Sequence, residues 1–183
     1  MGGIGGSYSR SSALGARGKA KTVDQALKDT NPHYREGREW RMNCQRCVYA
    51  YEMGRRGYDV EAQPRIMNGT DDVANHWRNI MENQTWVQMP SRNTAKKISE
   101  TMSGYGDGAR AVVYVVWKGA RSAHVFMSEQ QNGKTVYMDP QTGRHVNIDT
   151  YLNEAIKGRT EISRIDHLKP TDYINGCAKR RKP

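Results

Sequence analysis

Two alternating stretches, AHVFMSE (123–129) and KTVYMD (134–139), flank the dipeptide Asn132-Gly133. An Asn-Gly step between strand-like segments predicts a two-residue hairpin turn, because both residues tolerate the positive φ that such a turn demands. A turn of that length fixes a register, with Met127 opposite Met138, Phe126 opposite Asp139 and His124 opposite Gln141. Side chains alternate along a strand, so His124, Asp139 and Gln141 fall on one face, with His124 and Asp139 as diagonal neighbours within reach. The other face carries Val125, Met127, Val136 and Met138, an apolar set suited to packing. A carboxylate beside an imidazole orients the ring and stabilises its protonated form. The plainer reading of His124 is a hydrogen-bonded histidine near a sheet edge.

The rest of the chain supplies a setting for this hairpin. AVVYVVW (111–117) is a nearly unbroken apolar run, suited to a central strand; RHVNI (144–148) reads as a further strand and DTYLNEAIKG as a closing helix. Upstream the period is helical. Asn43 is a good N-cap, the following CQRCVYAYEMGRR places positions 44, 47, 48 and 51 on one face, and Gly57 is placed to stop the helix. YDVEAQP (58–64) reads as extended, and helices are expected around Asp72–Glu82 and Asn93–Met102, separated by Met89-Pro90. Helices first and an antiparallel sheet after them make an α+β domain. Residues 1–30 are expected to form a flexible leader rich in Gly, Ser and basic residues, although VDQALKD (23–29) has a helical pattern. Residues 31–177 form the expected catalytic domain, and 178–183 a basic tail.

Charge bears on partners. The net charge of +10 is concentrated at the ends: residues 1–30 carry +3, Lys179 to Lys182 carry +4, and only +3 remains for the body. That pattern suits solvated arms better than a basic groove, so nucleic acid is expected to be met through the tails if at all. No stretch approaches the roughly 20 apolar residues of a membrane span, and the first residues lack the apolar run of a signal peptide. The chain therefore reads as soluble, with no membrane partner, and either cytoplasmic or delivered into a target cell.

Three cysteines, Cys44, Cys47 and Cys177, leave at least one free thiol. Cys44 follows its N-cap directly, in the first helical turn, where backbone N–H groups lack helical partners and the helix dipole favours a thiolate. The same N–H groups could bind an oxyanion, with Asn43 and Gln141 as further candidates for oxyanion or substrate positioning. A cysteine at a helix start, a strand histidine and an orienting carboxylate are the parts of a Cys-His-Asp hydrolase. Cys44 and Cys47 could also be half of a zinc site, but Cys177 brings no paired ligand, so no metal is expected. The simpler division makes Cys44 reactive and Cys47 a small core residue. Trp40, Trp77, Trp86 and Trp117 are candidates for a substrate groove or for the core, and Arg110 for substrate contact or a surface ion pair.

The segment NCQRCVYAYEMGRRGYDVEAQP (43–64), with GAR (108–110), AHVF (123–126) and YMDPQTG (137–143), resembles the papain-fold toxin domains of bacterial polymorphic toxin systems, which also occur with phage and prophage head proteins. The resemblance covers roughly residues 31–177. It implies a papain-like fold in which an N-terminal Cys-bearing helix packs on a C-terminal antiparallel β-sheet. It also implies a cysteine-dependent amidohydrolase needing no cofactor, with Cys44 as nucleophile, His124 as general base and Asp139 as orienter. Laid on the papain pattern C-G-S-C-W, the nucleophile becomes Cys47 instead. The substrate is then a protein with an exposed glutamine, converted to glutamate, and a neutralising immunity protein is a further implied partner. A cysteine peptidase or a transglutaminase would use the same three residues. A basic, non-catalytic module, phage head-associated or nucleic-acid-binding, would keep the fold without the chemistry.

Overall fold

The computed structural model describes residues 13–119 and 122–183. The chain divides into two compact units, each assembled from separate stretches of sequence. The first runs to Glu82 and adds Pro140–Gly143 and Pro170–Pro183; the second comprises Asn83–Asp139 and Arg144–Lys169.

In the first unit the helices are α1 (Val23–Thr30), α2 (Arg38–Arg41), α3 (Cys44–Arg55), α4 (Asp72–His76) and α7 (Ile174–Cys177); a single turn of 3-10 helix follows α4 at Trp77–Asn79. Its strands, β1 (Val60–Ala62) and β8 (Ala178–Arg180), pair antiparallel. The centrepiece is α3, in which every residue from Arg46 to Gly54 is buried. A helix with so little exposed face is a central one, with burial reaching well beyond the face of positions 44, 47, 48 and 51. It packs against α1, α7 and the β1–β8 pair, so the Cys-bearing helix does lie on an antiparallel sheet whose second strand is C-terminal. Gly57 ends it as expected, with φ at 107° and its carbonyl accepting the Gly18 N–H at 2.7 Å.

Both chain ends depart from expectation. The flexible leader does not extend to residue 30: α1 is closed by a capping box between Thr22 and Gln25, and Leu14, Ala26 and Leu27 are buried. Residues 1–12 lie outside the described residues. The basic tail begins as strand β8, with Ala178 buried, and two of its basic side chains are paired. Arg181 meets Asp29 and Asp59 at 3.2 Å each, and Lys179 meets Glu61 at 3.4 Å. Positive side chains on an edge strand leave the backbone free to pair with β1 while meeting carboxylates at the surface.

The second unit is a six-stranded antiparallel sheet of β2 (Val87–Gln88), β3 (Arg110–Val116), β4 (Ala123–Gln131), β5 (Lys134–Asp139), β6 (Arg144–His145) and β7 (Glu161–Arg164), with helices α5 (Thr94–Tyr105) and α6 (Ile148–Asn153). The strand order is β2-β7-β3-β4-β5-β6. Asn132 and Gly133 have φ of 48° and 75°, both positive, as a two-residue hairpin requires. The expected register follows, from Gln131 opposite Lys134 to Met127 opposite Met138. The apolar core lies on the face shared by Ala111, Val113, Val115 and Phe126, where Ile98 and Met102 of α5 pack. Val125, Met127 and Met138, on the opposite face, are buried too, so packing covers both faces rather than only the one expected.

Candidate active site

Cys44 opens α3 and is partly exposed, while Cys47, one turn on, is fully buried. The Asn43 side chain does not cap the helix. Instead it sits at the centre of a buried amide cluster. Its Nδ2 donates to Asn31 Oδ1 and to the Gln63 carbonyl, both at 3.1 Å, and its Oδ1 accepts from the Cys47 thiol at 3.3 Å. Asn31 Nδ2 in turn donates to the carbonyls of Gln141 at 2.8 Å and Trp40 at 3.0 Å. Gln141 Nε2 reaches Asn43 Oδ1 at 3.5 Å. These bonds fix the residues around the start of α3 and tie the Pro140–Gly143 turn to it. The β4–β5 ladder ends at Met127–Met138, so Gln141 does not extend it opposite His124 as the hairpin register predicted.

The environments of the three thiols differ. Burial pushes Cys177 up to about 12, so it stays protonated, and Cys47 is buried and already donates a hydrogen bond. Cys44 alone of the three is not buried. Deeper on the same helix, Arg46 is buried with its guanidinium on Asp71 at 2.7 Å and on the Gly176 carbonyl at 3.1 Å. Burial alone would raise Asp71, but the Arg46 bond and the Ala74 N–H outweigh it and hold the carboxyl below its usual range.

In the second unit, His124 and Asp139 meet as the hairpin register predicts: His124 Nε2 lies 2.7 Å from Asp139 Oδ2, with the two side chains 10% and 1% exposed. A carboxylate can only accept, so Nε2 carries the proton and Nδ1, in that tautomer, is the basic nitrogen. The Trp117 ring stacks on the imidazole, centroids 5.7 Å apart at 24°. Of the four tryptophans considered for a groove, this one lies against a candidate site residue. Arg110 starts β3, and its backbone N–H donates to Asp166. Two features of this site were not anticipated. Tyr151 donates its hydroxyl to Asp139 Oδ2 at 2.6 Å, and its ring meets Trp117 edge-on at 5.5 Å. Both depend on where α6 docks, and the local pattern DTYLNEA gives no sign of that. Among the described residues, no three His, Cys, Asp or Glu side chains gather as metal ligands.

A helix-borne, partly exposed cysteine in one unit and a buried imidazole–carboxylate pair in the other are parts found in papain-fold thiol enzymes. The chain matches the family model of papain fold toxin 1, glutamine deamidase, over residues 42–144. The match takes in more than half of the sequence, Cys44, His124 and Asp139 included, and the chain belongs to this papain-fold glutamine deamidase family. Membership implies a cysteine-dependent enzyme. No curated protein matches the chain significantly. Among the described residues, no helix is long and apolar enough to cross a membrane.

Proposed function

We propose that this domain deamidates glutamine side chains of a protein substrate, with Cys44 as nucleophile, His124 as general base and Asp139 as orienter. The observation that carries the reading is the buried 2.7 Å bond between His124 and Asp139, on a chain whose family is a glutamine deamidase. Cys44 is preferred to Cys47 because it is partly exposed, whereas Cys47 is enclosed and bonded to Asn43.

His124 Nδ1 takes the proton from Cys44, and the thiolate attacks the carboxamide carbon of the glutamine. Backbone N–H groups of the first turn of α3 hold the resulting oxyanion, and Asn43 and Gln141 act by fixing that turn through their amide cluster. The imidazolium then protonates the departing ammonia, leaving a thioester. Water, deprotonated by His124, cleaves the thioester to glutamate and regenerates the thiol. The nucleophile and the base belong to different units, and a single residue, Pro140, separates Asp139 from Gln141 along the chain.

Peptide mass spectrometry of a cell extract incubated with the domain tests the reading. The expected result is conversion of particular glutamines to glutamate in uncut chains, abolished by Cys44→Ala. New chain ends without conversion would identify a peptidase, and glutamine–amine adducts a transglutaminase. Salt-sensitive nucleic-acid binding by the body, with no change in any protein, would favour the non-catalytic module. A neutralising immunity protein and delivery as a toxin or phage-borne effector accompany the deamidase reading.

A further inference from the structure

We propose that Tyr151 is a positioning residue of the active site, acting on His124 through Asp139. This rests on the assignment of His124 and Asp139 above. Tyr151 and His124 donate to the same carboxylate oxygen, Asp139 Oδ2, at 2.6 and 2.7 Å. Two donors converging on one oxygen fix the carboxylate in two directions. They also divide its charge. A carboxylate with only 1% of its side chain exposed would draw strongly on the imidazole proton, and the phenol takes part of that attraction.

The fold holds Tyr151 in place from several sides. Asn147 caps α6 by accepting from the N–H groups of Asp149 and Thr150, which puts Tyr151 one turn into the helix. Beyond the helix, Lys118 N–H donates to the Glu154 carbonyl at 2.8 Å and Ile156 N–H to the Val116 carbonyl at 2.8 Å. These two bonds join the end of α6 to the end of β3, next to Trp117. The Tyr151 ring meets Phe126 edge-on at 5.0 Å and Trp117 edge-on at 5.5 Å. Its orientation is thus set by packing on both sides, as a group that positions another must be. Replacing it with Phe removes the hydroxyl and keeps the ring and its packing.

The test reads the Nε2 proton of His124 directly by NMR, in the whole protein, without a substrate. If Tyr151 shares the carboxylate, Tyr151→Phe strengthens the remaining bond and moves the Nε2 proton resonance downfield. Site-specific replacement of Tyr151 by 3-fluorotyrosine, a stronger donor, moves it upfield, and this second variant stands on its own should the Phe variant misfold. Opposite displacements, or the upfield one alone where only that variant folds, support the proposal. A resonance unmoved in both variants, or moved the same way in both, overturns it. Cys44 alkylation in His124→Ala tests the triad separately. If His124→Ala leaves that rate unchanged while the resonance moves as stated, Tyr151 still positions His124, and the assignment of Cys44 as its partner fails.

Discussion

One oxygen of Asp139 receives both His124 and Tyr151. Asp139→Asn replaces an acceptor-only group by an amide that can present a donor to Nε2. It should favour the wrong tautomer and lower deamidation by at least about 100-fold with the fold intact, measured as turnover beside a circular dichroism spectrum. In the first unit the buried residue with most at stake is Arg46. Asp71→Ala would leave its guanidinium without a counter-charge and remove the N-cap of α4. The expected loss is about 3 kcal/mol, read by denaturant unfolding. The same pair sets an acid limb. Asp71 is depressed in the folded protein, so its stabilisation is present above the unfolded value of 3.8 and is lost as pH falls through the folded one. His33 works in the opposite direction. The Glu36 bond raises it against burial, with Glu61 assisting, so its stabilisation is complete below 6.5 and is lost as pH rises through the raised value. At 32% side-chain exposure that contribution is screened and small. A series of melting temperatures against pH should therefore fall at acid and, by less, above pH 6.5, with Asp71→Asn reducing the acid fall, to which the depressed Asp59 and Asp166 also contribute, and His33→Gln reducing the other.

The β4–β5 hairpin carries the site's geometry at the scale of elements. One residue inserted after Gly133 would turn the β5 side chains to the opposite face relative to β4 and take Asp139 away from His124. The expected outcome is loss of the Nε2–Asp139 signature in the His124 NMR spectrum. Gly133→Ala, which keeps the register but strains a residue at φ 75°, should cost only about 1 kcal/mol and retain that signature. This hairpin was legible because its information is local: two turn residues and an alternating pattern specify the pairing. The start of α3 was legible from the helical run that follows Asn43, although the Asn43 side chain joins the amide cluster rather than capping the helix. The strand β7 was not. EISR has four residues, too few for an alternating pattern to emerge, and it pairs with β3 some fifty positions earlier in the chain. The reach of Gln141 was misjudged because the register rule holds only while the ladder lasts, and Pro140, which has no N–H to donate, follows directly on β5.

Across the whole molecule, what looked from composition like two basic arms proves partly structural. The descent of the chain into α1 and its exit through β8 are joined by Lys21, Asp29, Asp59 and Arg181, so the ends of the described chain close on each other beside α3. Deleting residues 178–183 removes β8 and the partner of β1, and should lower the melting temperature by several degrees, on the scale of about 2–4 °C per kcal/mol for a chain of this size. The partition into two interleaved units could not be read from sequence, because Pro140–Gly143 and Pro170–Pro183 return to the first unit only through long-range contacts. The candidate residues divide along that partition, with Cys44 in the first unit and His124, Asp139 and Tyr151 in the second. Cooperation of thiol and imidazole is read from the alkylation rate of each cysteine by iodoacetamide at neutral pH, located by peptide mass. Cys44 is expected to react at least about 10-fold faster than Cys47 and Cys177, and His124→Ala to abolish the advantage while leaving the other two rates unchanged. A Cys44 rate indifferent to His124→Ala, or a faster reaction at Cys47, would contradict this expectation.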